Sequence, residues 1–311
     1  MKAIVCTKYG PPDVLQLHEI EKPIPKDNEV LVKIYATTVT IGDVIVRSGR
    51  HPDSMFYTLM LHIVFGLRKP RRSILGMEIA GEIEEAGKNV TQFKKGDQVF
   101  GSTFELKFGG YAEYKCFPSD GVLAIKPTNI SYEEAAALPG AGMTALHCLR
   151  RGNVQKGQKV LINGASGAVG TNAVQLAKYF GAVVTGVCSA ANSDLVKSLG
   201  ADSVIDYTKE DFTKNAETYD VIFDAVAKIP PSRAKRSLKK TGIYINVLTH
   251  SGSGENIEDL IFLKKLIEDG NIKPVIDRYY SFDQIPEAHR YVEKGHKKGN
   301  VVITLEHENK T

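Results

Sequence analysis

At 311 residues the chain is long enough for two domains, and chains of that size bury roughly three quarters of their unfolded surface. Its 42% hydrophobic and 24% charged residues are those of an ordinary soluble protein. A net charge of +4 is too mild to argue for nucleic acid or membrane, and neither partner is expected.

The N-terminal part reads as β-rich. AIVCTKY, VLQLHEI, EVLVKIYATTV, AGEIEEAG, DQVFGSTF and AEYKCF are short runs, several of them alternating, broken by Pro, Gly, Asn and Asp. The apolar stretch at the N-terminus is too short for a signal peptide. Met55 to Leu67 is an apolar loop too short to span a bilayer. It reads as packed core or as the lining of a substrate cleft, with Arg68, Lys69, Arg71 and Arg72 as a basic rim.

From about residue 125 the pattern changes. SYEEAAALPGAGMTALHCL predicts a helix with Ser131 as N-cap and Glu134 closing a capping box. Strands and helices then alternate: KVLING, AVGTNAVQLAKYFG, AVVTGVCS, NSDLVKSLG, SVIDY, YDVIFDAV, PSRAKRSLKKTG and IYINVL. Apolar β-branched runs followed by amphipathic helices predict a parallel sheet covered on both faces. Gly181, Gly200, Gly242 and Gly270 end the helices, where a left-handed C-cap is expected. The basic run Arg233, Lys235, Arg236, Lys239, Lys240 has no interleaved aromatics and reads as a solvated helix face. The tail from Ile272 returns to strand-and-turn material: PVIDRYYSF, a helix over DQIPEAHRYVEKG, and NVVITL. Cys6, Cys116, Cys148 and Cys188 form no CxxC pair and no disulfide framework, which fits a reduced, cytoplasmic compartment.

The strongest constellation is VLINGASGAVGTNAVQLA, a strand running through a small-residue turn directly into a helix. Backbone N–H groups at the helix start would point at a diphosphate, with the helix dipole adding favourable potential. Gly167 lets the backbone approach the phosphates and Gly170 lets the helix pack close to its strand. The G-x-G-x-x-G match is imperfect, since Ala165 holds the first glycine position. The second strand ends in Cys188 and Ser189, with Asn192 beyond, where an NAD site usually carries an acid on the ribose. A carboxylate beside a 2′-phosphate would cost about 4 kcal/mol at ~4 Å and an effective dielectric of ~20, so its absence favours NADPH as cofactor. Asp194 reads as the first-turn acid of the next helix, and Tyr207 as able to reach the same phosphate.

These residues resemble the zinc-free quinone oxidoreductase (zeta-crystallin-like) branch of the medium-chain dehydrogenases/reductases. The similarity covers nearly the whole chain, through ILGMEIAGEIEEAG, KKGDQVFG, GGYAEY, LPGAGMTALHCL, NGASGAVG, LGADSVIDY and KKGNVVITL. It implies an α/β fold in which a Rossmann-type doubly wound parallel sheet (residues 125–270) is inserted in a GroES-like β-barrel domain (1–124 and 271–311). Carried over by position, Thr144 would contact the nicotinamide side, and Ser166, Gly167, Ala168, Val169 and Gly170 the diphosphate. Ser189, Asn192 and Tyr207 would meet the adenosine phosphate, and Val226, Asn246 and Val247 the nicotinamide ring. The implied reaction is hydride transfer from NADPH to a quinone or another α,β-unsaturated carbonyl compound. Two alternatives are an enoyl-thioester reductase, which the basic rim would suit, and a crystallin-type NADPH-binding protein with little turnover.

Departures from the family pattern add to this. Where zinc-dependent relatives carry their ligands this chain has Thr40–Ile41–Gly42, Met77 and Gly140, so no metal is expected. Thr40 replaces the usual Asn, and His51 stands where a Tyr is usual. His51 is a candidate proton donor, Tyr57 a second, and Thr40 completes the candidate catalytic set. Quinone reduction needs no side-chain donor, because water can supply the protons. Only THSGSGEN separates IYINVL from the helix IEDLIFLKKLIEDG, so the sheet is expected to lack its last edge strand. Relatives use that edge for pairing, which leaves a homodimer open.

Overall fold

The computed structural model describes residues 1–51, 54–71, 73–250 and 255–307. The chain forms two units, Met1–Gly140 with Ile276–Thr311, and Ala141–Val275. The first opens with β1 (Lys2–Cys6) and β2 (Leu15–Glu19), an antiparallel pair, followed by the ten-residue β3 (Glu29–Thr38). Then come α1 (Ile41–Ser48), α2 (Met55–Phe65), β4 (Glu78–Ala86), β5 (Gln98–Ser102), β6 (Tyr114–Pro118), β7 (Leu123–Ile125) and α3 (Tyr132–Ala136). The boundary falls within α4 (Pro139–Arg151). The second unit runs β8 (Lys159–Asn163), α5 (Ala168–Tyr179), β9 (Val183–Cys188), α6 (Ser193–Ser198), β10 (Ser203–Asp206) and β11 (Tyr219–Asp224). It continues with α7 (Pro231–Ala234), β12 (Leu238–Asn246), α8 (Val247–His250) and α9 (Ile257–Glu268). The chain returns to the first unit with β13 (Ile276–Ser281), α10 (Ile285–Glu293) and β14 (Asn300–Thr304).

In the first unit β3 is the hub, pairing antiparallel with β14, β4 and β6. Its buried Val30, Val32 and Ile34 meet Ile79, Ile83, Val99, Phe117, Val301 and Ile303 in one core. Both chain segments therefore supply that core. α3 packs on β3, β4 and β14, so the break between units lies after Gly140 rather than after residue 124.

The second unit is a parallel sheet in the order β10-β9-β8-β11-β12. Val160, Leu161 and Ile162 of β8 are fully buried, as a central parallel strand requires. The chain winds outward from β8 through β9 to β10, then jumps back to lay β11 on the other side of β8. Strand order reverses there, the place where doubly wound sheets bind ligands. Among the described residues the sheet ends at β12, as the short connection predicts.

Four expectations change in detail. The long helix from 131 is two, because Pro139 cannot continue α3 but suits the first turn of α4. The helix expected over PSRAKRSLKKTG stops at Ala234, and a strand starts at Leu238, opposite Tyr219. Its basic residues therefore share no helix face: Arg233 pairs with Asp211 (2.7 Å) and Lys239 with Asp220 (2.7 Å). Gly242 lies in β12 and is not left-handed; a Cβ there would sit 2.9 Å from Leu238 and from the Tyr219 carbonyl. Gly181, Gly200 and Gly270 do have positive φ. Finally, Met55 to Leu67 is neither loop nor core, but the exposed helix α2 and its end. Arg72 lies outside the described residues.

Candidate cofactor site

Val187, Asn163, Asp224 and Asn246 stand in one row across β9, β8, β11 and β12, at the strand ends where the order reverses. The chain leaves β8 at Gly164 (φ 78°), and the N–H groups of Gly164 and Ala165 both donate to the Val187 carbonyl. The Gly167 N–H donates back to the Gly164 carbonyl (3.0 Å), closing the turn. Ala165 is tolerated at the first glycine position because Gly186 faces its methyl; a Cβ on Gly186 would lie 3.1 Å from it.

The two following glycines have different reasons. A Cβ on Gly170 would lie 2.1 Å from the Gly164 carbonyl oxygen, so packing alone demands glycine. A Cβ on Gly167 would meet only that oxygen at 3.5 Å, and its φ of −79° suits any residue. No protein contact requires Gly167. It is the N-cap of the 12-residue α5, with no side-chain cap, so the positive helix end faces open space. A dinucleotide diphosphate fits such a cradle.

The other residues assigned to the cofactor gather around this turn. Asn192 Nδ2 donates to Ser166 Oγ (3.0 Å), while its Oδ1 is buried without a partner among the described residues. Ser189 directly follows β9, and Tyr207, 60% exposed, donates its N–H to the Cys188 carbonyl. Val226 packs over Gly164, whose Cβ would lie 2.5 Å from it. Asn246 accepts from the Leu248 N–H (2.9 Å), and Val247 starts α8. Thr144 is half-buried in α4.

Two carboxylates went unweighed in the sequence. Asp224 is fully buried and accepts from Asn163 Nδ2 (2.9 Å), the Ile229 N–H (2.6 Å) and the Tyr244 hydroxyl (3.2 Å), fixing the row of strand ends. An acid closing the apolar run YDVIFD was the available signal. Asp206 is the register partner of Cys188. The Thr208 hydroxyl hydrogen bond (2.7 Å), with its N–H adding to it, holds Asp206 below the usual carboxylate range.

In the first unit, the rings of His51 and Tyr57 lie 5.2 Å apart, and the His51 N–H donates to Thr58 Oγ1 (2.9 Å). Thr40 is tied elsewhere. It caps α1, accepting from the Asp43 N–H (3.1 Å) and donating to Asp43 Oδ2 (2.7 Å). Burial pushes Asp43 up to about 6, despite the bonds from Thr40 and the Gly76 N–H. Nearby, the Tyr111 hydroxyl meets His289 Nε2 (3.1 Å), and Arg47 pairs with Glu293. Burial, aided by the Arg47 charge, lowers His289 from 6.5 to about 3. Its folded value lies below the unfolded one, so the stability it contributes is present above pH 6.5 and lost as pH falls toward 3. Asp43 is the reverse: its contribution is complete below 3.8 and lost as pH rises through 6.

Comparison with known proteins places this geometry. The family model described as Alcohol dehydrogenase GroES-like domain matches residues 26–127, and that described as Zinc-binding dehydrogenase matches 199–258 and 234–303. The chain is 35% identical over 322 residues to 2-methylene-furan-3-one reductase of Solanum lycopersicum, covering 97% of this chain and 79% of that protein. At the same coverage it is 33% identical to the chloroplastic NADPH-dependent alkenal/one oxidoreductase of Arabidopsis thaliana. The solved quinone oxidoreductase from Coxiella burnetii matches with a TM-score of 0.87 at 30% identity, over 98% of this chain and 99% of that one. The chain belongs to the medium-chain dehydrogenase/reductase family, in its quinone oxidoreductase branch. It is thus a nicotinamide-dependent oxidoreductase, built from a GroES-like domain and a Rossmann sheet.

In this medium-chain reductase the positions of zinc ligands in metal-dependent relatives are otherwise engaged. Met77 Sδ lies 3.5 Å from Thr40 Oγ1, and a Cβ on Gly42 would lie 2.8 Å from the Met77 methyl. The Gly140 N–H donates to Glu78 Oε1 (2.6 Å), whose other oxygen takes the Thr38 hydroxyl. Among the described residues no group of three or more His, Cys, Asp or Glu could hold a metal ion. Burial pushes the Cys6, Cys116 and Cys188 thiols up to about 11 and Cys148 to about 12.

Proposed function

We propose that this reductase uses NADPH to reduce quinones or other α,β-unsaturated carbonyl compounds, without a metal ion. The observation that carries the reading is the Gly164–Gly170 turn, where a glycine that packing does not require leaves the start of α5 open. The reduced nicotinamide supplies the hydride when bound. The protein's part is to hold and orient. Backbone amides of Ala168, Val169 and Gly170 take the diphosphate, with Gly167 leaving their approach clear and Ser166 steadied by Asn192. Ser189, Asn192 and Tyr207 receive the adenosine phosphate. NADPH is favoured over NADH because β9 ends without an acid. Thr144, Val226, Asn246 and Val247 flank the ring, with Val226 packed over Gly164.

His51, with Tyr57 against it, delivers a proton to the reduced enone; a quinone takes its protons from water. Thr40 positions α1 and donates its hydroxyl hydrogen bond to Asp43. Zinc independence is supported by Met77 and Thr40, which sit in contact where ligands would stand. A cytoplasmic location is part of the reading, supported by four cysteines without a disulfide.

The test is loss of reduced-nicotinamide absorbance with NADPH and with NADH, across quinones, enones, aldehydes and a crotonyl thioester, with and without a chelator. NADPH-dependent turnover of quinones or enones that ignores the chelator is expected. Inhibition by the chelator, or turnover confined to the thioester, would refute the reading.

A further inference from the structure

α2 is apolar on both of its faces. It starts at Ser54, whose Oγ accepts the Tyr57 N–H (3.2 Å), and is fastened to the first unit along one side. There Leu61 is buried, Phe65 stacks on Phe108 (5.6 Å), and His62 meets Tyr9 edge-on (4.7 Å). The Tyr9 hydroxyl donates to the Gly66 carbonyl (2.7 Å), locking the helix end. On the other side Met55, Phe56, Leu59, Met60, Ile63 and Val64 are 40–86% exposed, and Leu67 just beyond is 74% exposed.

A helix hydrophobic all round belongs where neither face meets water. Six large apolar side chains standing uncovered along one helix form the kind of contiguous patch that marks an interaction surface. Arg68, Lys69 and Arg71 follow at once and are exposed, and no acidic residue occurs between Ser54 and Arg71. Two-fold contact with a second copy through α2 would double the cations at the contact with no acid in the segment to receive either set. Anionic lipid headgroups do complement them.

We propose that α2 seats this protein on an anionic lipid bilayer, with the outer apolar side chains entering the acyl boundary and Arg68, Lys69 and Arg71 among the phosphates. The helix lies in the surface plane: its 11 residues span only ~16 Å, and no described helix is long and apolar enough to cross a membrane. The protein itself supplies the polar side that a free interfacial helix carries on its own back. The absence of a membrane partner, expected from the sequence, gives way here to peripheral attachment, and the inference stands whatever substrate the reductase takes.

Sedimentation of the full chain with vesicles tests it, using phosphatidylcholine alone or mixed with phosphatidylglycerol. Binding to the anionic vesicles that weakens with salt is expected, with little binding to the neutral ones. Phe56→Asp/Met60→Asp should abolish it, and Arg68→Gln/Lys69→Gln should weaken it about 5-fold per charge removed. Tyr57 is left intact because of its proposed proton-transfer role. Circular dichroism melting checks that each variant is folded; should the apolar pair unfold the chain, the exposed basic pair still decides. Three results would overturn the proposal: no vesicle binding, equal binding to neutral vesicles, or a concentration-dependent dimer that Met60→Asp breaks, which would assign α2 to a second copy.

Discussion

Gly167→Ala and Gly170→Ala put the same methyl group three residues apart, and the structure gives them opposite consequences. At Gly167 the new Cβ meets only the Gly164 carbonyl at 3.5 Å, and φ −79°, ψ 176° is ordinary for alanine. Reduced freedom of the unfolded chain and slightly poorer capping offset one another, so stability should change by no more than about 0.5 kcal/mol. The methyl nevertheless occupies the space before the first amides of α5. Displacing two charge-assisted hydrogen bonds to a diphosphate, at ~1.5–3 kcal/mol each, weakens NADPH binding about 100-fold or more. At Gly170 the Cβ lies 2.1 Å from the Gly164 oxygen and 2.8 Å from the Ala165 Cα, both backbone atoms that cannot rotate away. The cost falls at the upper end of the overpacking range, about 3 kcal/mol, or on the order of 10 °C in the melting of this unit. Thermal melting with and without NADPH, alongside fluorescence titration of the cofactor, separates the two. NADPH should raise the melting temperature of the parent and not of Gly167→Ala. Parental NADPH affinity in Gly167→Ala, or parental melting in Gly170→Ala, would refute the reasoning.

Ser189→Asp should shift preference toward NADH by about tenfold or more, the unscreened limit being ~4 kcal/mol at ~4 Å; an unchanged ratio of steady-state constants removes Ser189 from the phosphate site. His51→Asn should slow enone reduction by about 100-fold while sparing quinone reduction, and equal effects on both would argue against proton delivery by His51. Between pH 6 and 4 the loss from His289 and the gain from Asp43, each about 1.4 kcal/mol per unit of pH, nearly cancel. His289→Gln should therefore melt higher at pH 4 than at pH 6, and a variant still losing stability over that interval would show that acid sensitivity arises elsewhere.

Legibility in the sequence followed the range of the interactions. The strand–turn–helix of the cofactor corner is local, so the small residues of NGASGAVG and the Ser131–Glu134 capping box could be read directly. The basic helix expected after Pro230 failed because Leu238 is claimed by β11, a tertiary pairing that periodicity does not see. The apolar run from Met55 misled in another way. Its hydrophobicity implied burial within the protein, yet it is a helix whose outer side chains the rest of the described chain leaves uncovered. The long-range polar partners Asp43–Gly76, Glu78–Gly140 and Tyr111–His289 carry no sequence signature, because the separations that join them are set only by the fold.

Those partners explain how a domain made of two distant segments finds one register. α10 lays Ile285, Ala288 and Val292 onto the core of the first unit, and such a stripe could shift by a turn at modest cost in buried area. Arg47, fully buried in α1, has its carboxylate partner only at Glu293, with Nε and Nη1 otherwise unpaired among the described residues. A shifted α10 would strand that guanidinium, at about 3–5 kcal/mol, and take His289 from the Tyr111 hydroxyl as well. The same pair is a poor source of net stability, since burying the guanidinium offsets the attraction it gains. Its effect is discrimination: the apolar stripe draws the returning segment to the core, and the buried charge admits it in one position.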